Sequence, residues 1–254
     1  MTPGIQLVDP VKSRFARELR GNLDGRHSLF RIKICGVTTS KDAQVAALAG
    51  ADAIGFNFFS RSKRYIDPAL AEKIVAVVPP RVARVGVFVN SEPGEISSIA
   101  NRLKLDWVQL HGDETPETLK ELAGLSILSA FRLGDAGVAP VLDFLSACRQ
   151  LDVRPNALLF DVDRPGEYGG TGHTLDWHAI GAVRDQFRAV PLVLAGGLTP
   201  FNVAEAVAIV RPDAVDVASG IESKPGIKDM LLVRAFVTSA KKSLLELDHA
   251  KPAV

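Results

Sequence analysis

The sequence predicts an α/β fold in one domain, a closed (β/α)8 TIM barrel, and three observations carry that expectation. Short apolar runs alternate with helical stretches eight times between residues 30 and 247. The runs are rich in Val, Ile, Leu and Phe without strict polar alternation, as expected of parallel strands buried on both faces. Glycines suited to holding an anion follow the seventh and eighth runs, whereas a doubly wound open sheet, the alternative, places them after its first strand. Length is consistent with this: 254 residues, 47% of them hydrophobic, are enough for a single large core.

Taken in order, the expected strands cover residues 30–35, 53–58, 82–89, 107–111, 127–132, 157–161, 192–195 and 214–217. The expected helices cover 40–49, 68–78, 92–103, 116–123, 138–149, 175–187, 200–210 and 228–247. Thr39 and Asp42 form a capping box for the first helix, and Gly50 suits its end. Asp67-Pro68, Thr115-Pro116 and Thr199-Pro200 each put a capping side chain before proline at a first helical position. Residues 1–29 differ in being polar and charged, and they read as an N-terminal extension, with Val11, Phe15 and Leu19 spaced for one short helix. Asp9, Glu18 and Asp24 make that segment too acidic for an organelle transit peptide. The barrel is expected over 30–247, with 248–254 a C-terminal tail.

Thirty basic against twenty-nine acidic residues leave a formal charge of +1, so nothing global points to nucleic acid or to a membrane surface. No apolar run reaches the roughly 18 residues of a span, and residues 1–29 lack a signal-peptide core. Cys35 and Cys148 are far apart and without metal-ligand spacing, which argues against a disulfide framework and a zinc site. These features together suit the cytoplasm.

In such a barrel the chemistry gathers at the C-terminal strand ends. Cys35 ends the first strand, where a thiol can act as base or nucleophile once its thiolate is favoured, or can simply be a buried cysteine. Asp161 ends the sixth strand and leads into a glycine-rich segment through His173 that suits a lid, with Asp163 a rival acid. Arg61, Lys63 and Arg64 follow the second strand, and a guanidinium there matches a carboxylate or phosphate. His111 ends the fourth strand as an acid-base group or a structural histidine. Gly196-Gly197 and Ser219-Gly220 follow the seventh and eighth strands; each is either a tight turn or half of an anion cradle, and the pair suggests a phosphorylated ligand.

Several motifs in order, Lys33-Ile34-Cys35-Gly36, Ser62-Lys63-Arg64-Tyr65, Val108-Gln109-Leu110-His111-Gly112-Asp113, Leu159-Phe160-Asp161, Gly169-Gly170-Thr171-Gly172, Gly196-Gly197-Leu198 and Val215-Asp216-Val217-Ala218-Ser219-Gly220, give the chain its family likeness. Over residues 31–240 it resembles the phosphoribosylanthranilate isomerases. That resemblance implies an Amadori rearrangement of N-(5-phosphoribosyl)anthranilate in tryptophan biosynthesis, without a cofactor or metal. It further implies Cys35 as general base, Asp161 as general acid, Arg64 on the anthranilate side across the rim from the phosphate, and Gly197, Asp216, Ser219 and Gly220 at the phosphate. His111 joins them as a substrate-binding candidate. For this division of labour the site should raise the pKa of Asp161 and lower that of Cys35. The family usually has serine where this chain has Ala218, which removes one hydroxyl beside the phosphate. The implied partner is a small phosphorylated substrate, and monomer and homodimer both stay open.

Other phosphate-binding barrels fit less well. The histidine-pathway sugar isomerase would carry aspartates at strand ends one and five, where this chain has Cys35 and Arg132, and the lysines and glutamate of indole-glycerol-phosphate synthase are not evident.

Overall fold

The computed structural model of the chain describes residues 28–162 and 177–250. The expected N-terminal helix, the lid segment, Asp163 and the first residues of the sixth expected helix lie outside them. Eight parallel strands close on themselves in sequence order: β1 (Ile32–Ile34), β2 (Ala53–Asn57), β3 (Ala83–Phe88), β4 (Trp107–Leu110), β5 (Ile127–Leu133), β6 (Ala157–Val162), β7 (Leu192–Ala195) and β8 (Ala214–Val217). Closure is made by β1 lying beside β8, with Lys33 opposite Asp216.

Helices α1 (Ser40–Ala49), α2 (Pro68–Val75), α3 (Pro93–Leu103), α4 (Pro116–Glu121), α5 (Ala139–Gln150), α6 (Trp177–Val183), α7 (Val203–Val210) and α8 (Met230–Ala250) cover the outside. Local chemistry explains their ends. The Thr39 hydroxyl accepts the Asp42 N–H, and Gly50, at φ 96°, closes α1 in the left-handed conformation. The reciprocal half of that capping box is replaced by a tertiary contact, because the Asp42 carboxylate accepts the Lys228 N–H at 3.4 Å. Asp67 caps α2 as expected, through the Ala69 N–H. Thr115 makes no such bond to α4. Thr199 heads a turn instead of a helix: its N–H donates to Asn202 Oδ1, and α7 begins three residues after Pro200, at Val203.

Side-chain alternation divides the core in two. Ile32, Ile34, Ile54, Phe56, Leu158 and Phe160 point outward and pack under the helices. Phe30, Trp107, Leu128, Leu159, Val193 and Ala214 fill the barrel interior, with Phe30 edge-on to Trp107 at 5.9 Å. The interior then changes character toward the C-terminal end, where the next inward positions are Lys33, Gln109, Asp161 and Asp216.

Beyond β8 the chain makes a short 3-10 turn over Ser219–Ile221. An unexpected two-stranded hairpin follows, β9 (Glu222–Lys224) with β10 (Ile227–Lys228). Strands of two and three residues with polar composition carry no periodic signal. No described helix is long and apolar enough to cross a membrane.

Candidate active site

Cys35 is the residue immediately after β1, and its N–H donates to Val217 O at 2.8 Å, so the strand pairing continues up to the thiol. Below it on the same face, Lys33 is fully buried. Its ammonium donates to Asp216 Oδ2 at 2.7 Å and to Gln109 Oε1 at 2.8 Å. Gln109 Nε2 in turn lies 3.1 Å from His111 Nδ1. His111 Nε2 is 3.2 Å from Asp161 Oδ2, close but not aligned as a hydrogen bond, and it is a buried atom without another partner among the described residues. The expected acid, the expected base and His111 therefore share one polar chain through the barrel.

Burial pushes the Cys35 thiol above its ordinary pKa; Lys33 and Lys228 pull it down, while Asp216 adds to the rise. The expectation of a lowered thiol pKa is thus corrected, since removal from water outweighs the neighbouring cations. Lys33 moves the other way from a simple buried lysine: burial alone would lower it, but the charges of Asp216 and Cys35 hold it above its usual value. Cys148 is free, on the buried face of α5, with its thiol pushed up to about 11 by burial. It lies in the outer core, away from the mouth.

A second cluster sits at the mouth. Arg64 Nε and Nη2 donate to the two oxygens of Glu222 at 2.8 and 2.7 Å, a bidentate pair, and Lys228 Nζ donates to Glu222 Oε1 at 2.8 Å. Lys228 also donates to Ala218 O at 3.1 Å. Burial opposes the Glu222 charge, yet the bonds from Arg64 and Lys228 hold its carboxyl below the usual range. Burial wins at Lys228 and lowers its pKa despite Glu222. Arg64 consequently stands beside the β8 loop and not across the rim from it, because closure places β2 only two strands from β8.

The two expected anion loops touch. A Cβ at Gly220 would run into the Leu198 carbonyl, so only glycine allows this approach. Gly196 and Gly197 turn with φ 85° and 56°. Asp216 does not join them: its Oδ2 belongs to Lys33 and the side chain is buried inside the barrel, where a carboxylate would in any case repel a phosphate. Lys33, Gln109, Glu222 and Lys228 are the site residues that sequence reasoning overlooked. A signal existed for the first two, since each lies two positions before a candidate, Cys35 or His111, and hence on the same strand face.

A parallel closed barrel with acid-base groups gathered at its C-terminal strand ends is a (β/α)8-barrel enzyme. Comparison with known proteins then narrows the class. The model of the N-(5'-phosphoribosyl)anthranilate (PRA) isomerase family matches residues 32–239. The N-(5'-phosphoribosyl)anthranilate isomerase of Thermotoga petrophila is 45% identical over 213 residues, covering 84% of this chain and 99% of the relative. Among solved structures, a phosphoribosyl anthranilate isomerase in complex with reduced 1-(o-carboxyphenylamino)-1-deoxyribulose 5-phosphate aligns with TM-score 0.70 and 40% identity over 84% of this chain and 100% of that one. Monomers generated from the dimeric enzyme of Thermotoga maritima align with TM-score 0.71 and 38% identity over the same 84% and 100%. The chain belongs to the N-(5'-phosphoribosyl)anthranilate isomerase family.

Proposed function

We propose that the chain isomerises N-(5-phosphoribosyl)anthranilate to 1-(2-carboxyphenylamino)-1-deoxyribulose 5-phosphate in tryptophan biosynthesis, with Asp161 as general acid and Cys35 as general base. Asp161 gives its proton to the furanose ring oxygen, and the C1–O bond opens to an iminium ion. The iminium acidifies the C2 proton, which the Cys35 thiolate removes to form an enolamine; tautomerisation then yields the ketone. The single observation supporting this assignment most strongly is the polar chain from Cys35 through Lys33, Gln109 and His111 to Asp161, which brings both proton-transfer groups to one mouth.

Gly197, Ser219 and Gly220 hold the phosphate through backbone N–H groups, as the contact between their loops supports. Arg64, oriented by Glu222, meets the anthranilate end, with His111 beside the sugar. The barrel is the catalytic unit, and it runs past the expected boundary at 247: α8 continues to Ala250, and Asp248 accepts from Arg31 Nη1 at 2.8 Å. The protein works in the cytoplasm as a monomer or homodimer without nucleic acid, and the dimeric Thermotoga maritima relative supports the second state. Anthranilate fluorescence follows the reaction directly: purified protein should extinguish the substrate signal at substoichiometric concentration. Binding of phosphoribosylanthranilate without decay would overturn the proposal and leave a metabolite-binding barrel.

A further inference from the structure

We propose that Lys33 is a positioning residue that keeps a fixed positive charge beside the Cys35 thiol and, through Gln109, presents the Nε2–H edge of His111 to Asp161. The inference deepens the acid-base assignment and rests on it for its role in turnover, though not for its effect on the thiol.

Geometry carries both halves. Lys33 and Cys35 flank the same gap: a Cβ on Gly55 would lie 2.8 Å from Cys35 Sγ and 3.1 Å from Lys33 Cε, so the absent side chain leaves room for both. The ammonium cannot swing away, because Asp216 Oδ2 and Gln109 Oε1 hold it at 2.7 and 2.8 Å with no solvent exposure. Among the described residues, the charged groups around the thiol are Lys33 on β1, Asp216 on β8, and Lys228 on β10, the last sharing Glu222 with Arg64 from the β2 loop. Lys228 is committed to Glu222 and Ala218 O, which leaves Lys33 as the cation with the larger pull on the sulfur.

The tautomer follows from donor arithmetic. An ammonium has no lone pair, so Gln109 must turn its oxygen to Lys33, and its NH2 then faces His111 Nδ1. Nδ1 is the acceptor, and the proton of a neutral ring sits on Nε2, 3.2 Å from Asp161 Oδ2. Reversing the amide would set NH2 against NH3+, so the orientation is over-determined.

The test uses the full chain and alkylation of Cys35 by iodoacetamide across pH, quantified on the Cys35 peptide so that Cys148 does not contribute. Lys33→Met/Asp216→Asn removes the pair together and avoids leaving either charge buried alone. Its Cys35 midpoint should rise, with alkylation at pH 8 slowed about tenfold, the effect of one pKa unit. Asp216→Asn alone should speed alkylation several-fold, because the opposing charge is lost while Lys33 remains. In wild type, 15N spectra of the His111 ring should show a protonated Nε2, and Gln109→Glu, which can accept from the ring, should transfer that proton to Nδ1. An unmoved alkylation profile in the double variant, or a protonated Nδ1 in neutral wild type, would overturn the inference. Altered alkylation with unaltered turnover would instead sink Cys35 as the base while upholding the effect of Lys33.

Discussion

Two charged clusters lie within one strand end of each other, and they are built on opposite plans. The inner one, Lys33, Asp216 and Gln109, is fully buried and held by strand register alone, with Lys33 set opposite Asp216 by the β1–β8 pairing. The mouth cluster, Arg64, Glu222 and Lys228, is assembled from a loop and a hairpin, and the Arg64 side chain is 25% exposed. Rigid burial suits a group that must tune a proton without meeting the substrate. Partial exposure suits one that must meet an anion arriving from water.

The sharpest cut is made where the two clusters meet the reacting atoms. Cys35→Ala and Asp161→Asn should each lower kcat by about 10²–10⁴-fold with little change in folding, measured by fluorescence decay and thermal melts. Their double variant should lose less than the product, because both serve one proton-transfer sequence. Near-normal kcat for Asp161→Asn would transfer the acid role to Asp163.

Stability should separate the clusters next. Lys33→Met leaves the Asp216 charge buried and unpaired, at a cost of about 3–5 kcal/mol in denaturant unfolding. Glu222→Gln should cost less, about 1–3 kcal/mol, because Arg64 can turn to water and Lys228, already lowered by burial, can release its proton. Equal losses would erase the distinction between the two plans.

Substrate binding should respond only at the mouth. Arg64→Met is expected to raise KM roughly tenfold or more while leaving kcat within a few-fold, and Arg64→Lys to recover part of that, since an ammonium lacks the planar fork. A changed kcat with unchanged KM would place Arg64 with the proton-transfer groups instead.

The pH dependence of stability should differ in sign. Glu222 is held below its usual range, so its contribution is present above the unfolded glutamate pKa of about 4.3 and fades as pH falls through the lower folded value. Cys35 is raised, so its contribution is present below the unfolded thiol pKa of about 8.5 and fades as pH rises toward the folded value. Glu222→Gln should therefore flatten the acid side of the stability curve and Cys35→Ala the alkaline side. The smallest effect belongs to Ala218→Ser, which should lower KM about fivefold, the equivalent of about 1 kcal/mol for one added hydrogen bond to the phosphate.

What could be read from the chain was whatever repeats locally. Apolar runs marked all eight barrel strands, and α1, β7 and β8 match their expected bounds, because caps and buried runs are encoded within a few neighbouring residues. Thr199 shows the limit: a sound capping pair was overridden by Asn202, which drew the turn three residues further on.

The same division runs through the candidate site. Residue identity and a position at the end of an apolar run sufficed to single out Cys35, Asp161 and His111, since strand ends in a barrel all face one mouth. The loop glycines stood out in the same way, as a pair after the last two strands; family likeness singled out Arg64 among its neighbouring cations and added Asp216. Tertiary structure alone decided that Asp216 answers Lys33 and not a phosphate, that Glu222 grips Arg64, and that the thiol's pKa rises. Each depends on groups 158 to 183 residues apart in the chain, or on how much water closure removes from the barrel, and a linear pattern carries neither.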